Sequence, residues 1–173
     1  MHIRFRSEYG STERYAQELA RMLGTSAHDL DVPVPDDGRP VIYLSYVHGP
    51  VIPAAKKASE SLHNQGEQNA PHRAVAVVTV GMTPIDAAIS ANRTQSQVPD
   101  GVTCFYLSGH LDYARLSHAH RATMTTIVSA LKLKPVKSAV DRNLIDTFGL
   151  DTDRVDFAEL GPIVDWATAR VRA

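Results

Sequence analysis

A short segment near the N-terminus combines three hydroxyl side chains with a glycine, just before a predicted helix. Ser7, Ser11 and Thr12 carry the hydroxyls, and Gly10 lies between them. The exposed N–H groups and the dipole at a helix N-terminus attract anions, and hydroxyl groups add further donors. The segment contains no lysine and matches neither G-x-x-x-x-G-K nor G-x-G-x-x-G, so it favours a single phosphate monoester over a magnesium-bound triphosphate. The alternative is that Ser11 or Thr12 only caps the helix.

The strands and helices that position this segment alternate along the chain. Apolar, β-prone runs predict strands over residues 1–5, 27–30, 41–46, 74–80 and 102–107. Helical spacing of apolar residues and helix-start signals predict helices over residues 12–23, 53–63, 84–93, 114–133 and 162–170. Residues without a clear period predict loops over 31–40, 64–72, 95–101 and 135–153, the last with one helical turn at most.

Alternating strands and helices predict an α/β fold in a single domain, residues 1–173, with a parallel sheet and helices on both faces. Ligands of such folds bind beyond the carboxyl ends of the strands. We therefore expect the functional site at the four loops that follow Phe5, Tyr46, Val80 and Leu107.

Composition and charge exclude several classes of protein. The 173 residues are 43% hydrophobic and 21% charged, as in one globular domain. A net charge of −1 argues against binding nucleic acid through its phosphates and against a strongly acidic electron carrier. The one cysteine, Cys104, forms no internal disulfide and fits a cytoplasmic protein. We expect no membrane span, because no apolar run approaches ~18 residues. We also expect no metal site, because His118 and His120 are two positions apart and point to different sides of a helix.

Four segments, in this order, resemble the flavodoxin-like family. The sequence S-E-Y-G-S-T-E-R-Y-A-Q-E-L-A at 7–20 resembles its phosphate loop and first helix. V-I-Y-L-S-Y-V-H-G at 41–49 and V-A-V-V-T-V-G-M-T-P at 75–84 resemble two strands with the loops that contact the flavin ring. C-F-Y-L-S-G-H-L-D-Y at 104–113, a long helix and D-T-D-R-V-D-F at 151–157 resemble the branch of flavodoxin-type, quinone-dependent protoporphyrinogen oxidases. The resemblance implies a three-layer fold with a five-stranded parallel sheet in the order 2-1-3-4-5.

FMN is the cofactor that this resemblance implies. The first loop would hold its phosphate, Tyr46 or His48 would lie against its ring, and the third loop would offer backbone N–H groups to the carbonyl edge of the ring. Ordinary turns and helix caps are the alternative at each loop. The residues implied to contact FMN are Ser7, Tyr9, Gly10, Ser11, Thr12, Tyr46, Val47, His48, Gly49, Val80, Gly81, Met82, Thr83, Gly109 and His110.

The fourth loop is the richest in titratable groups and supplies the candidate catalytic residues. His110 could relay a proton, Tyr113 could cover the flavin ring or an aromatic substrate, and Arg115 could hold a substrate carboxylate. The alternative is a solvated loop in which Asp112 caps the helix that follows.

Two features depart from the family. Arg4 and Arg6 occupy a central strand that the family fills with apolar or small residues, and Val47 replaces an arginine that the oxidase branch often has. Unpaired arginines are costly in a strand buried on both faces. We therefore predict that at least one of them pairs with a carboxylate, such as Asp29 or Asp31, or lies at a strand end.

The function expected from these observations is that of an FMN-dependent oxidoreductase with a quinone or porphyrinogen-like partner. Two alternatives stay open: a flavodoxin-type electron carrier that serves a redox protein, and a binding module that keeps the fold without the cofactor. Whether the chain is an enzyme is also open at this point. The exposed face of the long helix could support a homodimer.

Overall fold

Five parallel strands form the centre of the molecule. The structure is a computed structural model that describes residues 1–47, 51–67, 73–83, 85, 88, 94–113 and 115–171. The central strands are β1 (His2–Arg6), β2 (Ala27–Asp29), β3 (Val41–Tyr46), β4 (Val75–Gly81) and β5 (Thr103–Ser108). All neighbouring pairs are parallel, and the order is β2-β1-β3-β4-β5. The predicted flavodoxin-like sheet is therefore confirmed.

The helices and a small second sheet complete the described elements. The helices are α1 (Ser11–Met22), α2 (Pro53–Glu67), α3 (His118–Leu133), α4 (Ala139–Asp146) and α5 (Gly161–Val171). The second sheet pairs β6 (His110–Leu111) with β7 (Thr152–Asp153) in antiparallel fashion. Short 3₁₀ turns cover Gln95–Gln97 and Phe157–Leu160. None of these described helices is long and apolar enough to span a bilayer.

Each face of the central sheet has its own apolar core, because successive side chains of a strand point to opposite faces. Ile42 and Leu44 of β3 belong to the core beneath α1 and α5. Val41 and Tyr43 of the same strand belong to the other core, beneath α2. All four are buried, which explains why β3 is an almost unbroken apolar run.

The largest error of the sequence-based prediction lies between β5 and α5. Residues 135–153 were expected to be a loop, but they contain α4 and β7. Helix α4 begins with a capping box in which Ser138 and Asp141 bond to each other's backbone N–H groups. Helix α2 also runs four residues beyond its predicted end at position 63, and α3 begins at His118 rather than at 114. Most of the predicted helix over 84–93 lies outside the described residues.

A buried arginine stabilises the loop between β2 and β3. The side chain of Arg4 is 3% exposed, and its guanidinium donates to the carbonyl oxygens of Val32 at 2.7 Å and Pro33 at 2.6 Å. A third bond, of 3.0 Å, goes to the carbonyl of the preceding residue. The buried Arg73 donates to the carbonyl of Pro35 at 2.8 Å. Two guanidinium groups thus bind the backbone of a loop that forms no helix, as its proline and aspartate content predicts.

Arg6 satisfies the prediction made for the two arginines. Its guanidinium hydrogen-bonds the carboxylate of Asp31 and lies 3.6 Å from that of Asp29. The side chain of Arg6 is 36% exposed, so this pair lies at the surface. Arg4, in contrast, uses backbone carbonyls rather than a carboxylate. Burial lowers the pKa of Arg4 from its ordinary value, which reflects the cost of desolvating this charge.

We predict that Arg4→Met destabilises the protein much more than Arg6→Met does. Loss of Arg4 leaves buried carbonyls without donors and should lower the free energy of unfolding by about 2–4 kcal/mol. Loss of the exposed Arg6 pair should lower it by about 0–1 kcal/mol. Urea unfolding of the two variants measures the difference. Equal losses would show that the bonds from Arg4 to the loop do not stabilise the fold.

Candidate functional site

The first loop ends at a helix N-terminus with unused backbone donors. Gly10 has a φ of 90°, a conformation that favours glycine, and its N–H donates to the Ser7 hydroxyl at 3.1 Å. The first backbone bond of α1 runs from the Arg14 N–H to the Gly10 carbonyl, at 3.0 Å. The N–H groups of residues 11–13 therefore have no acceptor within the helix, and no described side chain caps its start.

The hydroxyl residues at this helix start are packed against the protein. Thr12 is 1% exposed and Ser11 is 8% exposed. Together with Ser7 they place three hydroxyl-bearing residues at a helix end whose N–H groups over residues 11–13 have no acceptor within the helix. This set of donors suits the oxygens of a phosphate monoester, and it contains no lysine or arginine from the loop itself. The chemistry of the residues present therefore fits the phosphate end of FMN.

The second and third loops meet where β3 and β4 end. The Val47 N–H donates to the Val80 carbonyl at 3.1 Å, and Tyr46 is half-buried beside it. A methyl group added at Gly81 would lie 2.9 Å from the Val47 side chain and 2.7 Å from the Tyr106 hydroxyl. This crowding requires glycine at position 81. His48 and Gly49, the other residues expected in the second loop, lie outside the described residues.

Tyr106 of β5 holds the third loop in place, a role that sequence reasoning missed. Its hydroxyl donates to the Thr83 carbonyl and accepts from the Thr83 N–H, both at 3.0 Å. Burial raises the pKa of Tyr106, so the phenol remains protonated and can donate. The Thr83 N–H, expected to be offered to a ligand, is therefore already bonded within the protein.

Two side chains from the segment beyond β5 bind the same loop. The Met82 carbonyl accepts from the Asn143 amide at 2.9 Å and from the Arg154 guanidinium at 3.2 Å. The two donors also bond to each other, because Arg154 donates to the Asn143 side-chain oxygen at 2.8 Å. Asn143 lies in the stretch predicted to be a loop, and Arg154 lies just after that stretch, in the 151–157 segment that resembles the oxidase branch. The capping signal at Ser138 was the one feature that could have indicated α4.

The fourth loop lies against the third. The Gly109 N–H donates to the Gly81 carbonyl at 2.7 Å, and the Arg154 N–H donates to the Gly109 carbonyl at 3.1 Å. His110 follows directly and is half-buried in the β6–β7 pair, opposite Asp153. Among the catalytic candidates, His110 is thus the one next to the third loop in this structure.

Tyr113 and Arg115 form their described hydrogen bonds and ring contacts within residues 109–156. The Tyr113 ring meets the Phe148 ring edge-on, with centroids 5.7 Å apart. The backbone carbonyl of Tyr113 accepts from the Arg121 guanidinium at 2.6 Å. Tyr113 also lines an open cleft of about 430 Å³, whose other lining residues are Arg121, Thr125, Phe148, Gly149 and Asp151. Arg115 is exposed and does not line this cleft. Its backbone N–H donates to the Asp112 carboxylate at 3.2 Å. The arginine of the cleft is Arg121.

The segment over 109–156 also contacts the first loop and α1. The Tyr9 hydroxyl hydrogen-bonds Nδ1 of His120, and the two rings meet edge-on with centroids 6.1 Å apart. The Arg14 guanidinium donates to the Asp153 carboxylate at 2.7 Å. His120 is half-buried and makes this contact with the first loop. No group of three or more metal-ligating side chains occurs in the described parts of the chain.

We predict that the carboxylate of Asp141 stabilises the protein above its folded-state pKa only. Hydrogen bonds from Lys134 and the Ser138 N–H, both 2.7 Å, lower the pKa of Asp141 from 3.8 to about 2. Since the folded pKa lies below the unfolded one, this stabilisation is complete above pH 3.8 and is lost as the pH falls through 2.

Urea unfolding of wild type and Asp141→Asn should therefore differ by a constant amount near neutral pH and converge in acid. The exposed Asp146, at the end of the same helix, provides the control variant Asp146→Asn. A difference that does not shrink below pH 3.8 would contradict the role given to the Asp141 charge.

Comparison with known protein families gives a match. The family model described as "Flavodoxin domain" matches residues 2–137, which includes the whole five-stranded sheet and all four loops. No curated protein and no solved structure matches the chain significantly. The match covers well over half of the chain and agrees with the order of its strands. The chain belongs to the flavodoxin domain family.

Proposed function

We propose that this protein binds FMN, with the phosphate at the N-terminus of α1. The observation that carries the proposal is the set of N–H groups over residues 11–13 without acceptors in the helix, at a helix start that contains the hydroxyl residues Ser7, Ser11 and Thr12. Family membership supports it, because the matched region includes this loop. Tyr9 and Gly10 complete the phosphate site in this proposal.

The flavin ring, on this proposal, lies between the second and third loops. Tyr46 and Val47 contribute one wall, with His48 and Gly49 as proposed additions from the same loop. The opposite wall of the proposed ring site consists of Val80, Gly81, Met82 and Thr83. Gly109 and His110 lie next to this wall. Bound FMN supplies one- and two-electron transfer, while the chain binds it, orients it and excludes water. Because three carbonyls of the third loop already have donors, that loop is prearranged.

We further propose that the protein is an oxidoreductase and that a quinone or porphyrinogen-like partner reaches the flavin along residues 109–156. His110, Tyr113 and Arg115 remain the candidate catalytic residues, and Arg121 joins them because it lines the cleft beside Tyr113. Aromatic walls and a guanidinium suit a planar molecule with acceptor groups. The whole chain is proposed to act as one domain in the cytoplasm.

An electron carrier is the second candidate function. The net charge of −1 argues against a carrier that finds its partners by long-range attraction. Residues 109–156, which include the fourth loop and bind the third, also favour an enzyme that binds a small-molecule substrate over an electron carrier. A cofactor-free module remains the alternative if FMN does not bind.

We predict that Thr12→Val weakens the binding of FMN but not of riboflavin, which lacks the phosphate. Loss of one charge-assisted hydrogen bond should cost about 1.5–3 kcal/mol, or roughly 10- to 150-fold in affinity. Valine keeps the shape of threonine, so the packing of this buried position changes little. Titration of the apo-protein with each flavin, followed by the change in flavin fluorescence, measures both affinities. If wild type binds FMN and riboflavin equally, the phosphate site is refuted.

We predict that Tyr113→Ala, Arg115→Ala and Arg121→Ala each slow the reoxidation of the bound flavin by a quinone at unchanged FMN affinity. The physical reason is loss of the aromatic and guanidinium contacts that would orient the acceptor. Stopped-flow absorbance measures the rate against quinone concentration. Arg142→Ala, an exposed arginine of α4, is the control. If all three variants match the control, residues 109–156 do not serve the partner.

A further inference from the structure

A positively charged side chain, that of Arg154, is bonded to the third loop, and the proposed function gives it no role. Arg154 lies just beyond β7, far in sequence from the loop, yet its guanidinium donates to the Met82 carbonyl at 3.2 Å. It is half-buried, and its second hydrogen bond, to the Asn143 side-chain oxygen, is 2.8 Å. Both partners are neutral. An asparagine alone already provides a donor to the Met82 carbonyl, at 2.9 Å, so the hydrogen bond does not by itself require an arginine.

Among the described residues, no ion pair cancels the charge of Arg154. Within the described ranges, no carboxylate lies within 4.0 Å of its guanidinium. The charge acts on the Tyr106 phenol, whose pKa it lowers, although burial has the larger, opposite effect. The opposing charge at this phenol is Glu159.

Glu159 is held by donors of its own, in Ser108 at the end of β5 and Tyr15 of α1. Its carboxylate accepts from the Ser108 N–H at 3.0 Å, the Ser108 hydroxyl at 3.1 Å and the Tyr15 hydroxyl at 3.2 Å. The two charges therefore have separate partners, and Arg154 is the one bonded to the third loop. In a half-buried position its field is screened less than it would be in bulk water.

We propose that Arg154 raises the reduction potential of the FMN bound at the third loop. This inference rests on the proposed function, in which Gly81, Met82 and Thr83 line the flavin ring. The couple takes up two electrons and one proton, so the reduced ring carries one more negative charge than the oxidised ring. A guanidinium beside it stabilises that charge, and a protein tunes a flavin in part through such charges. Arg154 is thus a positioning residue for the loop and a source of charge for the ring.

A set of variants separates the effect of the charge from the effect of the hydrogen bonds. Arg154→Met removes the charge and the hydrogen bonds, whereas Asn143→Ala removes the other donor to the Met82 carbonyl and keeps the charge. Arg154→Lys keeps the charge without the planar fork. Arg142→Met removes one positive charge from the exposed surface of α4 and controls for net charge. Reduction potentials are measured on the FMN-bound proteins by equilibration with reference dyes, with dithionite as the electron source.

We expect Arg154→Met to lower the potential by about 30 mV or more, which is a tenfold shift in a two-electron equilibrium. Asn143→Ala, Arg154→Lys and Arg142→Met should stay much closer to wild type. If Arg154→Met does not fold or loses FMN, Arg154→Gln takes its place, because it can still donate to the Met82 carbonyl, and the same fall is expected.

Two results would overturn the proposal. A potential unchanged in the Met and Gln variants shows that the charge does not act on the flavin. An equal fall in Asn143→Ala shows that only the position of the loop matters. Both differ from failure of the proposed function, in which the wild-type protein binds no FMN at all.

Discussion

The carbonyl oxygens of Gly81, Met82 and Thr83 must find donors where β4 leaves the sheet, and the rest of the site depends on how they find them. Gly109 bonds the first of them, and Tyr106 bonds the third. The side chains of Tyr106 and Val47 leave no room for a side chain at position 81. A loop with this many internal bonds cannot rearrange without losing several of them at once. The expected flavin site is therefore rigid on one side before any ligand arrives.

The segment between β5 and α5 supplies some of these donors and packs against the site. It binds the third loop through Asn143 and Arg154, and it reaches the first loop through His120. The β6–β7 pair joins the fourth loop, which contains β6, to the far end of the segment. Because this segment contains the fourth loop and contacts the first and third loops, a change in it can alter cofactor binding as well as access to the site.

Near the β2 edge of the sheet, hydrogen bonds to a loop compensate for the burial of a charge. A charged residue in a central strand is costly, yet Arg4 is nearly fully buried. The cost is offset because the loop between β2 and β3 forms no helix and leaves its carbonyls to be bonded from outside. Arg4 in β1 and the helix-free loop after β2 are thus complementary, so this departure from the family pattern involves that loop and not the proposed flavin site.

The amino-acid sequence alone determined the alternation of strands and helices, the two-sided sheet and the position of the first loop, whereas the order of the five strands came from the resemblance to the flavodoxin-like family. Apolar runs such as Val41–Tyr46 and helix-start signals are local, and the physics that relates them to structure is local as well. Only the tertiary structure decided which donors meet the third loop. Asn143 and Arg154 lie 61 and 72 positions from Met82, and neither is in a pattern that marks a strand or a site. Their role follows from chain folding that brings distant polar groups to unsatisfied carbonyls, because such groups must be paired once buried.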